Sequence, residues 1–354
     1  MKKIYINGLG CISAQKTFEN DFFEDAIINE SDTILPLQIP VYRDFIPPVA
    51  IRRMAKGVKN GIVAASLAMK SAYVAHVDMI ITGTGMGCIE DSDKFLKSII
   101  ENNEEFLTPT SFIQSTHNTV GAQIALGLQC KGYNFTYVNG AISFESALMD
   151  SKMKIEEEEA KTILCGGIDE TAEHTMSLLE LAGLIKDKNQ SPFSVLNSNT
   201  KGAVFSEGAT FFILENERKS HTYAEVLDVE IINKLTFEEV EIKALQFLKS
   251  NNLQILDIDA VMLGYNGDVE FDTYYKSLSQ NIFANTPQVY YKPLSGEYNT
   301  ASAFGLYIGA KIIKKQHIPA VLKINSLEKS HYKTILLYNQ YRGIDHSFVL
   351  ISGK

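Results

Sequence analysis

The sequence has no C-x-x-C pair, no apolar run long enough to cross a membrane and no excess of positive charge, and each absence removes a class of protein. Its four cysteines, Cys11, Cys88, Cys130 and Cys165, stand apart with no histidine at ligand spacing. That excludes a disulfide framework and a structural zinc site, and it suits a reducing cytosol. A formal charge of -9 removes general nucleic-acid and anionic-membrane binders, which need clustered Lys and Arg to meet phosphate. The basic start Met1-Lys2-Lys3 runs into Ile-Tyr-Ile-Asn-Gly, too short an apolar stretch for a signal peptide, and nothing later reaches the roughly 20 apolar residues of a span. A cytoplasmic protein with no cofactor and no metal is the expectation.

What is present is core-forming material. With 45% hydrophobic residues, a chain of 354 residues can bury a large core, as one two-lobed body or as two ordinary domains. β-Rich runs at 3–7, 77–82, 134–138, 161–165 and 203–214 alternate with helical patterns. The clearest of these is 52–77, with Met54, Val58, Ile62, Ala65, Ala68, Met69 and Ala72 at helical spacing. After a polar, turn-like stretch at 215–222 a second series follows: strand 223–232, helix 238–252, strands 260–263 and 288–291, helix 300–315 and strands 334–338 and 347–352. Two similar halves of alternating strands and helices predict a duplicated, layered α/β body.

Glycine pairs and triplets read as turns that close strands: Gly8-Leu9-Gly10, Gly83-Thr84-Gly85-Met86-Gly87 and Gly166-Gly167. The second has amides that could cradle a phosphate after a strand, but the spacing is G-x-G-x-G and carboxylates follow it, so a tight structural turn is the stronger reading. The acidic run 156–159 reads as a solvated helix end.

Several segments in order resemble the β-ketoacyl synthase family. Ile6-Asn7-Gly8-Leu9-Gly10 is similar to the family's opening strand, Arg52-Arg53-Met54 and the Ala-rich stretch after it to its first long helix, and 81–87 to its second strand and turn. Residues 118–125, continuing to Lys131-Gly132, resemble the helix leading to the nucleophile strand, and 160–170 the strand and double glycine beyond it. Phe205-Ser206-Glu207-Gly208-Ala209 resembles the Gly-x-x-x-Gly-Glu/Asp-Gly-Ala motif, retaining Glu207 and Gly208, and Lys292-Pro293-Leu294-Ser295-Gly296 resembles the Lys-Ser-x-x-Gly stretch, retaining Lys292 and Gly296. The resemblance implies the thiolase fold, two duplicated α/β halves in a layered α-β-α-β-α body, divided here into 1–218 and 219–354.

The resemblance does not extend to the residues that do the chemistry. Decarboxylative condensation needs a thiolate to hold the acyl chain and two imidazoles to assist decarboxylation and stabilise the developing charge. Aligned on the family, the nucleophile position is Ala141, and a shift of one residue gives Gly140, equally inert. Ser143 is the nearest hydroxyl and reads better as a helix-start hydrogen bond than as a nucleophile, because no base lies nearby in sequence. Asn266 stands at the first His position, either as an amide donor to an oxyanion or as part of an Asn-Gly turn. Glu297 stands at the second, where a carboxylate opposes anionic chemistry, and it is a ready partner for Lys292. The acidic residue expected one helix further on is Leu306.

The gating loop of the family corresponds to 339–346, with Tyr341 at the gate position. By the same resemblance, 114–118 and 133–144 lie along the acyl tunnel and dimer seam, bringing in Thr116, His117, Ser143 and Phe144; Thr116 and Phe144 are the tunnel-limiting candidates, and His117 reads as structural. Arg52, Arg53, Lys56 and Lys59 offer either a docking face for an acidic acyl carrier protein or a solvated helix edge.

These replacements imply a chain-length-factor-like subunit without condensing activity of its own, paired with an active ketosynthase or with itself, in polyketide, aryl-polyene or fatty-acid-type elongation. The second reading is a stand-alone thiolase-fold acyltransferase with another nucleophile, or an acyl-binding protein.

Overall fold

The computed structural model describes residues 2–18 and 22–353; Met1 of the basic N-terminus lies outside the described residues. Among the described residues ten strands join in one ladder: β1 (Ile4–Ile12), β2 (Met79–Gly83), β3 (Asn134–Tyr137), β4 (Thr162–Asp169), β5 (Gly208–Glu215), β6 (Ala224–Asn233), β7 (Ala260–Leu263), β8 (Gln288–Tyr290), β9 (Thr334–Tyr341) and β10 (Asp345–Ser352). Their order is β3-β2-β4-β5-β1-β6-β10-β9-β7-β8.

That order is a palindrome of two equal units. Counting outward from the junction of β1 and β6, each half places its first, fifth, fourth, second and third strands in turn. The pairing signs repeat as well, antiparallel twice and then parallel twice. Each half also sends a long helix after its first strand, Lys56–Ala72 and Phe237–Ser250, and another after its third, Ser143–Glu156 and Ala301–Lys315. The duplication invisible as a sequence repeat is therefore explicit in the topology.

Side-chain alternation builds the layers, because successive residues of a strand face opposite ways. Ile81, Cys165, Phe212 and Leu214 from one half, and Met262, Leu337, Val349 and Ile351 from the other, enter one central core with Phe144, Leu148, Phe304 and Ile308 of the two inner helices. Their neighbours Ile80, Leu164, Phe211 and Ile213 face the Lys56–Ala72 helix. Val261, Leu336, Phe348 and Leu350 face the Phe237–Ser250 helix. The body is thus α-β-α-β-α, as the resemblance implied.

Two expected turns are strand interior. Gly8 and Gly10 lie within β1, where the Lys56–Ala72 helix rides so close that a Cβ on Gly10 would come within 1.9 Å of the Ala64 carbonyl oxygen. Gly166 and Gly167 lie within β4, where a Cβ on Gly166 would meet the Phe211 ring at 2.4 Å. Glycine serves packing here rather than chain reversal. Residues 203–207, expected as strand, are held instead by single bridges to Ile185, Ile34 and Glu297 before β5 begins at Gly208. The acidic run ends its helix as expected, with Lys152 2.7 Å from Glu156 and Lys154 2.7 Å from Glu159. No helix among the described residues is long and apolar enough to cross a membrane.

Candidate functional site

The turn after β3 delivers the first part of the site. Gly140–Ile142 forms a single 3-10 turn that feeds the Ser143–Glu156 helix and leaves the Ala141 methyl buried, 3% exposed. The Ser143 hydroxyl accepts from the Asn139 N–H at 2.8 Å and donates to the Gly140 carbonyl at 2.7 Å, so it closes the turn in the way its helix-start position suggested. Asp345, at the start of β10, lies beside this turn, its Oδ2 3.3 Å from where a Cβ on Gly140 would stand. Phe144 is fully enclosed against Phe212, ring centroids 5.6 Å apart, which makes it part of the central core.

The second half contributes a closed polar cluster. Glu297 Oε2 accepts from Lys292 Nζ at 2.7 Å and from Asn266 Nδ2 at 2.7 Å, with Lys292 and Glu297 both buried. Asn266 does both things its position allowed: Oδ1 accepts from the Asp268 N–H in a local turn while Nδ2 reaches the carboxylate. Asp272 secures that turn from below by accepting from the Asn266 and Gly267 amides, and burial pushes its carboxyl up to about 7. The backbone of Glu297 pairs with 204–206, Glu297 N–H to Val204 O at 2.8 Å and Ser206 N–H to Glu297 O at 3.1 Å. Gly296, in a left-handed conformation, would drive a Cβ to 2.5 Å from that of Ser206. Glu207 in turn pairs with Lys56 at 2.8 Å, and Gly208 opens β5. Lys56 is thereby committed to an internal pair, and Lys59 lies over the Tyr42 ring. A cavity of about 220 Å³ reaches this cluster at Asn266 and Lys292, walled by Phe193, Val204 and Tyr290.

Tyr341 joins the two parts, since its phenol lies near enough to Glu297 and Asp345 to be held above its ordinary range, chiefly by burial and then by those charges. The stretch 339–346 is not a glycine-rich loop, however. Asn339 to Tyr341 end β9, Asp345 and His346 begin β10, and the reversal is only Arg342-Gly343-Ile344. The strands continue to the end because Tyr341 and Asp345 still pair across them.

His346, fully buried in that hairpin, carries a pH prediction. Its Nε2 accepts from the Leu235 N–H at 3.3 Å and its Nδ1 faces the Tyr338 hydroxyl at 2.9 Å, so a second proton breaks one contact; burial holds the imidazole below its ordinary value. The unfolded chain binds this proton more readily, so the contribution is full above about pH 6.5 and is lost as pH falls through the folded value. Glu170 and Asp272, both pushed up to about 7 by burial, act in the opposite sense, so the comparison is made against a variant. The urea midpoint gap between wild type and His346→Gln is expected to narrow from about pH 7.5 to about pH 5.5.

Sequence reasoning missed the residues that lock the halves together. Asp169, at the end of β4, accepts from Thr84 Oγ1 (3.1 Å), Gly85 N–H (2.8 Å) and Met86 N–H (3.3 Å) through one oxygen, and from Thr300 N–H and Oγ1 (both 2.8 Å) through the other. Glu170 beside it accepts from the Gly57 and Glu90 amides at the starts of two further helices. The amides of the 84–87 turn are therefore spent, Gly85 and Met86 on Asp169, Thr84 on the Tyr137 carbonyl and Gly87 on Thr84 Oγ1, which retires the phosphate reading. The only sequence signal was an Asp-Glu pair directly after a glycine-rich strand.

None of the three buried thiols is poised as a nucleophile: burial pushes Cys11 up to about 11, Cys165 to about 12 and Cys88 higher still. Cys130 is half-buried and lies against the Val77 carbonyl. Thr116 and His117 are exposed, with Thr116 Oγ1 2.7 Å from Thr119 Oγ1. Among the described residues no group of three or more His, Cys, Asp and Glu is placed to hold a metal ion.

Two half-sheets closed over a shared helix pair, with a turn into one inner helix facing polar groups of the other half, define a thiolase-fold protein. Residues 44–220 match the family described as "Beta-ketoacyl synthase, N-terminal domain", and the chain belongs to the β-ketoacyl synthase family, whose members are acyl-transferring synthases. Among solved structures, the ishigamide ketosynthase/chain length factor is similar with a TM-score of 0.82 at 16% identity, covering 100% of this chain and 99% of that one. A β-ketoacyl synthase from Burkholderia phymatum gives 0.80 at 16% identity, with 100% of both chains covered. A ketosynthase in complex with its chain length factor from Xenorhabdus doucetiae gives 0.77 at 14% identity, covering 100% of this chain and 98% of that one. No curated protein matches the sequence. Likeness at these identities establishes the fold.

Proposed function

We propose that this chain is a chain-length-factor-like subunit, a cytoplasmic ketosynthase homologue that does not condense acyl chains alone and pairs with an active ketosynthase acting on carrier-bound substrates. In this proposal Ala141, Asn266 and Glu297 occupy the positions of the nucleophile and the two imidazoles. The observation that carries it is the buried contact of Glu297 with both Lys292 and Asn266, at 2.7 Å each: a closed ion-pair cluster where proton-transferring rings would be required. Engagement of the Ser143 hydroxyl by backbone on both sides, and the raised buried thiols, weigh against the stand-alone acyltransferase.

The partner surface is an open sheet edge. Among the described residues β3 ends the ladder, so one side of its backbone has no strand neighbour there, and it displays Phe135, with Tyr133 and Val138 exposed at its two ends. Phe112 and Ile113 add exposed apolar area on the nearby Pro109–Ser115 helix, which leads toward Thr116 and His117. Unpaired, aromatic edge strands are aggregation liabilities unless another chain covers them. A second thiolase-fold chain adding its own edge here would place the 114–118 and 133–144 segments at the seam, with Thr116 beside the substrate tunnel.

Co-expression with ketosynthases of the same cell, followed by purification on a tag carried by this chain, tests the pairing. The expected product is a one-to-one complex with a chain that carries an intact Cys-His-His set; separate homodimers of each protein would end the proposal. Phe135, 44% exposed at the centre of the edge, is the expected anchor. Phe135→Asp is expected to weaken the complex by about 2 kcal/mol or more, measured by calorimetric titration, while leaving the fold intact.

A further inference from the structure

The polar stretch that joins the halves carries Arg218 and Lys219, the last turn of the Ala301–Lys315 helix carries Lys314, and Lys333 directly precedes β9. The fold gathers all four in one cleft of about 610 Å³, together with His331, and Tyr223, Ile313 and Tyr332 supply apolar wall. Among the described residues no Asp or Glu lines this cleft, although the chain holds 42 acidic residues against 33 Lys and Arg. Like charges held in one concavity repel one another, and an anion that joins them relieves that repulsion. The volume is that of a small-molecule site. We propose that this cleft binds a small phosphorylated molecule, its phosphate oxygens meeting Arg218, Lys314 and Lys333.

The contacts of these three cations position them without cancelling their charge. Lys314 Nζ donates to the Thr222 and Ser220 carbonyls at 3.2 and 3.4 Å, and the Arg218 guanidinium lies 5.9 Å from the Tyr5 ring centroid. The Lys333 backbone is held on both sides, its N–H donating to Asp259 Oδ2 at 2.8 Å and its carbonyl accepting from the Gly353 N–H at 2.7 Å. Of the carboxylates bonded to these segments, Asp259 is paired with Lys329 and Glu217 with Lys219, each at 2.8 Å, so Lys219 is left out of the phosphate contact. A lysine in a last helical turn complements the helix dipole, which accounts for Lys314, but Arg218 and Lys333 belong to no helix. The cleft lies at the far end of this helix from Glu297, roughly 20 Å away at 1.5 Å per residue, and does not rest on the reading of that cluster. The net charge of -9 repels extended polyanions, whereas a small anion meets the local field within a screening length.

Calorimetric titration of the full chain with sodium diphosphate, at low ionic strength in a phosphate-free buffer, tests the site with the charged part of such a ligand alone. Half-saturation is expected below about 1 mM, and sodium chloride at about 0.5 M is expected to weaken binding about tenfold or more. Arg218→Ala/Lys333→Ala is expected to raise the Kd about tenfold or more, whereas Lys188→Ala/Lys249→Ala, which removes two exposed cations elsewhere, is expected to change it less than about twofold. Circular dichroism melts confirm that both double variants are folded. Equal affinity in the two folded doubles, or no heat from the unsubstituted chain at about 5 mM diphosphate, would overturn the proposal. Sedimentation with phosphatidylglycerol vesicles and no response to diphosphate would overturn it too, by assigning the cations to a lipid surface.

Discussion

Replacing Asp169 with alanine is expected to cost about 3–5 kcal/mol of stability, enough to leave much of the chain unfolded or aggregated at ordinary temperature. The carboxylate is buried and accepts five hydrogen bonds, three from the 84–86 turn of the first half and two from Thr300 at the start of the inner helix of the second. Truncation leaves the Gly85, Met86 and Thr300 amides without their acceptor; Thr300 is fully buried, and stranded buried donors cost about 1–3 kcal/mol apiece. Asp169→Asn separates shape from charge: the amide keeps one accepting oxygen but turns an NH2 toward donors, so it is expected to lose nearly as much. Urea denaturation read by far-ultraviolet circular dichroism checks both, and a loss below about 1 kcal/mol in either would show that the halves are held chiefly by apolar packing.

The second large effect concerns the buried ion pair. Glu297→Ala removes the acceptor of both Lys292 and Asn266 and leaves an ammonium in the interior with no carboxylate in contact, expected to cost about 3–5 kcal/mol. Lys292→Met/Glu297→Gln, which removes both charges and keeps an oxygen for Asn266, is expected to restore most of that stability. A double-mutant cycle on urea midpoints measures the coupling, and additivity of the two single changes would mean the pair contributes little.

Local pattern was a good guide where an element is decided by its own residues. The β-branched and apolar run at 260–263 is β7 to the residue, and the inner helix read from 300 begins at Ala301 after Thr300. Pattern failed where a distant contact decides. Gly8, Gly10, Gly166 and Gly167 look like punctuation, yet each sits inside a strand because a helix, a ring or a threonine of another segment occupies the space of a side chain. The hairpin at 342–344 was hidden for a related reason: family likeness suggested a loop, whereas the cross-strand pair of Tyr341 and Asp345 keeps both strands extended.

The candidate site divides along the same line. Ala141, Asn266, Lys292 and Glu297 could be singled out because each stands within a short recognisable stretch, and the Lys292–Glu297 contact is only five positions long in sequence. Asp169 could not. It meets Thr300 across 131 positions, and nothing around it in sequence announces that partner. Its importance is tertiary and becomes visible only when the two halves are closed on each other.

The junction of β1 and β6 has a consequence for origin. Equivalent strands of the two repeats meet there antiparallel, Ile4 opposite Val226 and Ile6 opposite Ala224, which is the self-complementary contact of a two-fold symmetric pair. A half-length progenitor with this edge would have assembled as a homodimer whose inner helices were shared between copies. Fusion made the copies covalent neighbours and released them from having to be identical, so that one could supply Ala141 and the other Glu297 without either change being imposed twice.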